Sequence, residues 1–183
     1  MIKNDIYMNR NKPILILSLI ILAHICVNAQ IESKDWCGNI DVEYSFGLAG
    51  YASDYGYMSA GVAASYGLQI NGHYYAGVGI KPNYIFARDD FDGFFLPIYG
   101  EFKYKSSIND RQFGGFGLAR VGYSPLDKRG IYAHIGGGLS YKKWDFGLGV
   151  SYQFAQFKEK YDDSVSYLDY NMVFATLSIG YNF

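Results

Sequence analysis

Hydrophobic and polar positions alternate along most of this chain, and the alternation has a period of two. Residues 144–154 place Trp144 and Leu148 on one face and set Asp145 and several glycine, serine and glutamine residues between the apolar ones. Residues 173–183 repeat the pattern. A period of two over a stretch of this length predicts a β-strand, because successive side chains of a strand point to opposite faces.

Six further segments show the same alternation, so the sequence predicts eight strands in total. Their approximate spans are 40–51, 57–70, 74–86, 94–105, 113–123 and 130–141. The Gly, Asn, Asp and Pro residues between the segments are typical of turns. If the strands run antiparallel in chain order, short turns join them at one end and longer loops join them at the other. The predicted turns are 71–73, 106–112 and 142–143, and the predicted loops are 52–56, 87–93, 124–129 and 159–169.

The composition of the two strand faces distinguishes a membrane barrel from a soluble sandwich or a lipocalin-like barrel. The polar face consists mostly of small residues, such as Ser59, Gly61 and Ala63 in one strand. Such residues fit the narrow interior of an eight-stranded barrel better than a water-facing surface. On the apolar face, aromatic residues gather at the strand ends around an aliphatic middle, as in the girdles of membrane barrels. The predicted fold is therefore an all-β, eight-stranded, antiparallel up-and-down transmembrane β-barrel.

The beginning of the chain has the composition of a targeting segment. Arg10 and Lys12 precede an apolar run at 14–22, and small residues lead up to Ala29. The run is shorter than the ~20 residues that a membrane-spanning helix needs, so a secretory signal peptide cleaved before Gln30 is predicted. The predicted division of the chain is a signal peptide at 1–29, a short periplasmic segment at 30–39 and the barrel at 40–183.

Composition and charge narrow the range of functions. The 183 residues carry a formal charge of −1, which gives no general attraction to nucleic acid. Of the two cysteines, Cys26 lies in the predicted signal peptide. Cys37 would then be left without a partner, so no disulfide within the exported chain is expected. No cofactor is expected either.

The end of the chain carries a resemblance to a known family. Its final residues, Leu177-Ser178-Ile179-Gly180-Tyr181-Asn182-Phe183, alternate and finish on an aromatic residue. This segment resembles the C-terminal signature of the small eight-stranded outer-membrane β-barrels, the group that includes OmpX and the barrel of OmpA. The resemblance implies a place in the outer membrane of a Gram-negative cell and an assembly signal at Phe183, Tyr181 and Ile179 that the barrel-assembly machinery reads. It also implies contact with outer-membrane lipid and lipopolysaccharide, and a monomer is expected.

The polar face also carries charged residues that would point into the barrel. Four are acidic and four are basic, so their formal charges cancel. Unpaired charges in a narrow interior are costly, and a salt-bridged plug is therefore predicted. The alternative is that these side chains line a narrow porin-like channel for small solutes. The residues are Asp41, Glu43, Lys81, Glu101, Lys103, Lys105, Arg120 and Asp145.

Two further features of the chain bear on metal binding and catalysis. Asp89, Asp90 and Asp92 form an oxygen-rich loop that would suit Ca²⁺ or Mg²⁺, although acidic residues before a glycine are also ordinary loop chemistry. The resembled family includes lipid A-modifying enzymes, one type of which has His and Ser two positions apart. Neither His73 nor His134 is followed by Ser at that spacing. No metal site beyond that loop and no catalytic residue is predicted, and the expected role is structural or surface-interacting, with an unidentified extracellular ligand.

Overall fold

The computed structural model describes residues 34–86, 93–108, 113–126, 129–161 and 164–183. The predicted signal peptide and the aspartates of the 87–93 loop lie outside these residues. Ten strand segments and one short helix make up the described chain. The strands are β1 (Lys34–Gly50), β2 (Met58–Ile70), β3 (Tyr74–Ile80), β4 (Asn83–Phe86), β5 (Gly93–Phe95), β6 (Ile98–Ile108), β7 (Phe113–Ser124), β8 (Gly130–Tyr141), β9 (Trp144–Tyr161) and β10 (Ser164–Asn182), and the helix is α1 (Tyr51–Asp54).

Two pairs of segments each form a single strand of the wall. β3 and β4 both pair with β2, and a break at Pro82 separates them. A second break, at Pro97, separates β5 from β6. Proline has no N–H to donate to a neighbouring strand, which explains both interruptions. The ladder continues across them, since Val62 N donates to Pro82 O over 3.1 Å and Lys81 N donates to Pro97 O over 3.0 Å.

The wall closes into a ring of eight antiparallel strands. Each strand pairs with the next one in the chain, and β10 returns to pair with β1, for example Val42 with Ile179. The predicted eight-stranded up-and-down barrel is confirmed. Closure leaves the sheet without a free edge in the wall.

The strand ends depart from the prediction most clearly in two places, and β6 also extends to Ile108, into the predicted 106–112 turn. β1 begins at Lys34, before the predicted start at residue 40, and its first residues pair with the end of β2 as far as Ile70. The predicted 159–169 loop is wrong, because β9 continues to Tyr161 and β10 begins at Ser164, paired as a long hairpin. Both extensions lie at the ends of the wall, where neither face has to be apolar and the alternation fades.

The two ends of the barrel differ in their connections, and we call them the turn end and the loop end. The turn end holds the tight turns at Asn71–His73 and Lys142–Lys143 together with the start of β1. The loop end holds α1, the β4–β5 connection and the long β9–β10 hairpin. Within the part of the chain that the structure describes, no helix is long and apolar enough to span a membrane.

The outer surface of the wall is apolar. Val78, Ile135 and Leu148 are 70%, 68% and 66% exposed, far more than aliphatic side chains of a folded chain in water usually are. Aromatic rings pair near the turn end of the same surface, for example Trp144 with Tyr181 at a centroid distance of 5.1 Å. The outer face therefore agrees with the alternation, because its exposed side chains are aliphatic and aromatic.

Candidate functional site in the barrel lumen

The lumen contains three groups of side chains, stacked from the turn end to the loop end. Alternate residues of each strand point inward, so the ring brings together residues that are far apart in the chain. The turn-end cluster consists of Lys103, Lys105 and Asp145. The arginine cluster consists of Asp41, Glu43, Lys81, Glu101 and Arg120. The loop-end core consists of Ala52, Tyr57, Ala63, Ile85, Phe95, Tyr99, Tyr132, Ala155, Met172 and Phe174.

Arg120 on β7 is the centre of the arginine cluster. Its guanidinium donates to two carboxylates on β1, from Nη2 to Asp41 and from Nη1 to Glu43. Its Nε donates to Glu101 Oε2 on β6 over 2.5 Å. All four side chains are at most 4% exposed. The planar fork of arginine suits this arrangement, because it presents several N–H donors in one plane.

Lys81 completes the arginine cluster from the break between β3 and β4. Its Nζ lies 2.5 Å from Glu43 Oε2 and 5.0 Å from the centre of the Tyr132 ring. The cluster therefore has three carboxylates and two cations, a formal charge of −1. Full burial of all five groups makes their pairing essential, since a buried charge without a partner costs several kcal/mol.

Asp145 is the centre of the turn-end cluster. Its carboxylate lies 2.5 Å from Lys103 Nζ and 3.1 Å from Lys105 Nζ. It also accepts hydrogen bonds from Ser140 Oγ and from Asn182 Nδ2, the latter over 2.9 Å. One carboxylate faces two ammonium groups, so the cluster has a formal charge of +1 and offsets the arginine cluster.

Asn39 connects the two charged clusters. Its Nδ2 donates to Asp41 Oδ2 over 3.1 Å and to Glu101 Oε1 over 3.2 Å. Its Oδ1 accepts from Lys103 Nζ over 3.5 Å. The sequence prediction missed this residue because it placed 30–39 outside the barrel. Once β1 is known to begin at Lys34, Asn39 falls on the same inward face as Asp41.

The eight charged residues predicted for the lumen all lie inside the barrel, and the structure divides them between the two clusters. The alternation alone indicates which face each residue occupies. It does not indicate which carboxylate meets Arg120, because that depends on the register of strands across the ring. The sequence does not single out Ser140 and Asn182 as partners of Asp145. Both are uncharged, and the inward face contains many other serine and amide residues.

The sequence places Tyr99 and Tyr132 in the lumen, but it does not predict that they belong to a packed apolar core. α1 folds over the barrel mouth and places Ala52 in the lumen with no exposed surface. Tyr57 N donates to Ala52 O over 2.8 Å, and Gly47 N donates to Tyr57 O over 2.9 Å, which fixes this segment to β1. A side chain at residue 47 would start 2.1 Å from Ala52 O, so glycine is needed at this approach. The segment is predicted from the sequence to be a simple external loop, whereas in the structure it forms a short helix that packs against the loop-end core.

A row of hydrogen-bonding side chains lies between the charged clusters and the loop-end core. His134 Nδ1 lies 2.8 Å from Ser151 Oγ, which is 2.8 Å from Thr176 Oγ1. Thr176 Oγ1 is in turn 2.9 Å from Ser45 Oγ. These four residues come from four strands and are at most 5% exposed. They tie neighbouring strands together, and His134 is a hydrogen-bonded member of this row.

The residues predicted as an assembly signal lie along the closing seam of the barrel. Phe183 N donates to Gly38 O over 3.0 Å, and Gly38 N donates to Phe183 O over 2.9 Å. Tyr181 and Ile179 are on the outer surface of β10. The loop aspartates Asp89, Asp90 and Asp92 fall outside the described residues. Among the residues that are described, no group of three or more His, Cys, Asp or Glu side chains could hold a metal ion.

Comparison with solved structures finds the same fold, a small antiparallel β-barrel, in other proteins. The chain is similar to neisserial surface protein A (NspA), with a TM-score of 0.56 and 15% identity over 82% of this chain and 98% of that one. It is also similar to the N-terminal β-barrel domain of Pseudomonas aeruginosa OprF, with a TM-score of 0.46 and 12% identity over 82% of this chain and 100% of that one. No family model and no curated protein matches the chain. The likeness to NspA is one of fold, and at that level it confirms the resemblance found in the sequence.

Proposed function

We propose that this protein is an integral outer-membrane β-barrel with a closed lumen and a structural or surface-interacting role. The apolar wall supports the membrane location. Side chains such as Ile135 and Leu148 would be costly to expose to water and are favourable in lipid. A closed barrel also pairs the backbone groups of the wall, as the hydrocarbon core of a bilayer requires.

The observation that carries the closed lumen is the loop-end core. Tyr132 and Phe174 extend inward from strands on one side of the barrel, Phe95 and Ile85 extend from the other, and all four have no exposed surface. An eight-stranded barrel is just wide enough for its interior to be filled by side chains. A continuous water column would have to displace this core and also separate Arg120 from its carboxylates.

The cellular location and processing follow from the sequence features together with the wall. We expect export through the inner membrane, cleavage before Gln30, and insertion with the turn end facing the periplasm. Lipopolysaccharide, outer-membrane lipid and the barrel-assembly machinery are then the partners, the last through the seam residues Phe183, Tyr181 and Ile179. Cell fractionation with N-terminal sequencing tests this, and a soluble periplasmic protein or an uncleaved chain would contradict it.

Conductance measurement tests the closed lumen directly. The refolded protein in a planar bilayer should show no steady conductance, because the loop-end core blocks the lumen. Tyr132→Ala removes a fully buried ring from that core and should raise the frequency of openings. Tyr123→Ala on the same β7–β8 hairpin removes a half-exposed ring from the outer surface and should leave conductance unchanged. A large, steady, ion-selective conductance in the unmodified protein would contradict the proposal.

That contrary result would favour the second candidate, a narrow porin-like channel. The observation in its favour is the polar lumen at the turn end of the barrel, since channels for small solutes are lined by polar side chains. An enzymatic role has less support. His134 is buried and bound to Ser151, and the described residues contain no open constellation of nucleophile, base and substrate cleft around it.

A further inference from the structure

The turn end of the lumen opens into a pocket, in contrast to the filled loop end. Its cavity volume is about 420 Å³, within the range of small-ligand sites. Among the described residues, the lining includes four lysines and no aspartate or glutamate side chain. The lysines are Lys103, Lys105, Lys142 and Lys143.

The lysines of this turn-end pocket differ in how far their charges are neutralised. Lys103 and Lys105 share a single carboxylate behind the lining, that of Asp145. Lys105 keeps 23% of its side chain exposed to the pocket. Lys142 and Lys143 form no salt bridge with any described residue. The pocket therefore has an excess of positive charge.

Lys142 and Lys143 are held at the rim between the pocket and the outer surface. The Nζ of Lys142 lies 5.4 Å from the centre of the Tyr141 ring, and that of Lys143 lies 5.9 Å from the centre of the Tyr181 ring. Both rings belong to the aromatic surface of the turn end. Asn182 Nδ2 and N both donate to Lys143 O, over 2.9 Å and 2.8 Å, which fixes the turn against β10.

We propose that the turn-end pocket binds a phosphate group, with Lys142 and Lys143 at the rim and Lys105 deeper inside. Lysine ammonium groups are strong point-charge partners of phosphate, and such charge-assisted hydrogen bonds are stronger than neutral ones. The phosphate belongs either to a free anion or to a phospholipid headgroup. The placement of the rim lysines against the girdle tyrosines favours the headgroup, because aromatic girdles lie at headgroup depth. The proposal goes beyond the proposed function and does not depend on a closed lumen.

The test uses the full refolded protein in a sugar-headgroup detergent, which contains no phosphate. The first arm titrates inorganic phosphate at constant ionic strength and follows the backbone amide signals of Gly38, Lys105 and Asn182 by NMR. The second arm titrates a short-chain phosphatidylglycerol against a diacylglycerol with the same chains. We expect saturable shifts at the pocket with phosphatidylglycerol and none with diacylglycerol. Saturation by inorganic phosphate with equal affinity would support the pocket and identify a free anion as the source.

A pair of matched variants separates a site from general charge attraction. K142Q/K143Q removes two charges at the turn end, and K158Q/K160Q removes two from β9 at the loop end. Each lost charge-assisted contact should weaken binding about tenfold, so the first variant should bind at least about tenfold more weakly, and the second should bind like the unmodified protein. K105Q should weaken binding as well. Its folding is checked by comparing the electrophoretic mobility of unheated and heated samples, which differs when the barrel is folded. Equal weakening by the two double variants, or no saturable response to either phosphate probe, would overturn the proposal.

Discussion

The loop half and the turn half of the lumen are built from the same strands and the same alternation, yet their interiors are opposite in character. The loop half is an apolar core, in which Phe95, Tyr132 and Phe174 are fully buried. The turn half is polar and opens into a cavity of about 420 Å³. Arg120 and its three carboxylates separate the two. Among the described residues, one alternating pattern therefore gives an apolar packed interior in one half of the barrel and a polar, water-accessible pocket in the other.

Substitution of Arg120, at the boundary between the halves, should lower the free energy of unfolding more than any other change in the lumen considered below. Arg120→Met leaves Asp41 and Glu101 buried without a direct ion pair among the described residues, and Glu43 keeps only its pair with Lys81. Removing one partner of a buried ion pair costs about 3–5 kcal/mol, so we expect a loss of that size in the free energy of unfolding. Urea titration in phospholipid vesicles measures it. Adding Glu101→Gln should recover part of the loss, and a cost near zero would mean that the cluster is hydrated.

The loop half should behave like the core of a soluble protein. Phe174→Ala removes a ring with no exposed surface, and such changes cost about 3 kcal/mol or somewhat more because a cavity remains. Phe146→Ala on the outer face of β9 is the matched control, since lipid fills the space that its ring leaves. The same urea titration compares the two. Similar costs for both variants would show that the loop half is not tightly packed.

The turn half should tolerate the loss of a polar side chain best. Asn182 donates to Asp145 at the edge of the pocket, where water can replace it, so Asn182→Ala should cost about 1 kcal/mol. Asn39 makes comparable bonds but is only 3% exposed. Asn39→Ala should therefore cost more, and the unfolding midpoints of the two variants measure the difference. Equal losses would mean that water does not enter the pocket.

The sequence was sufficient to predict the wall, and the reason is physical. Lipid requires apolar side chains outside, and the narrow lumen mostly requires small or polar ones inside, so neighbouring residues of a strand differ in polarity. The alternation in a segment such as 144–154 therefore indicates which residues point outward. The charged residues of the lumen could be recognised by the same rule. Their grouping could not, because Arg120 meets Glu43 only through the register of β6, β7 and β1 around the ring.

The parts that escaped prediction lie where this constraint ends. In β9 and β10 near Tyr161 and Ser164, charged residues and the Asp162-Asp163 pair interrupt the alternation, so the sequence favours a loop there. Ala52 lies in the predicted 52–56 loop, and only the fold shows that its side chain turns inward. The breaks at Pro82 and Pro97 were likewise absorbed into single predicted strands, because proline changes the hydrogen bonding without changing which face a residue occupies.

The seam between β1 and β10 has a consequence for the order of folding. All other neighbours in the wall follow one another in the chain, and short connections bring them together quickly. The seam instead joins Asn39 to Asn182, so its closure carries the largest loop entropy in the barrel. Contacts this distant in sequence slow folding. The hairpins should therefore form first and the seam last, and until it closes two unpaired strand edges remain open to other chains.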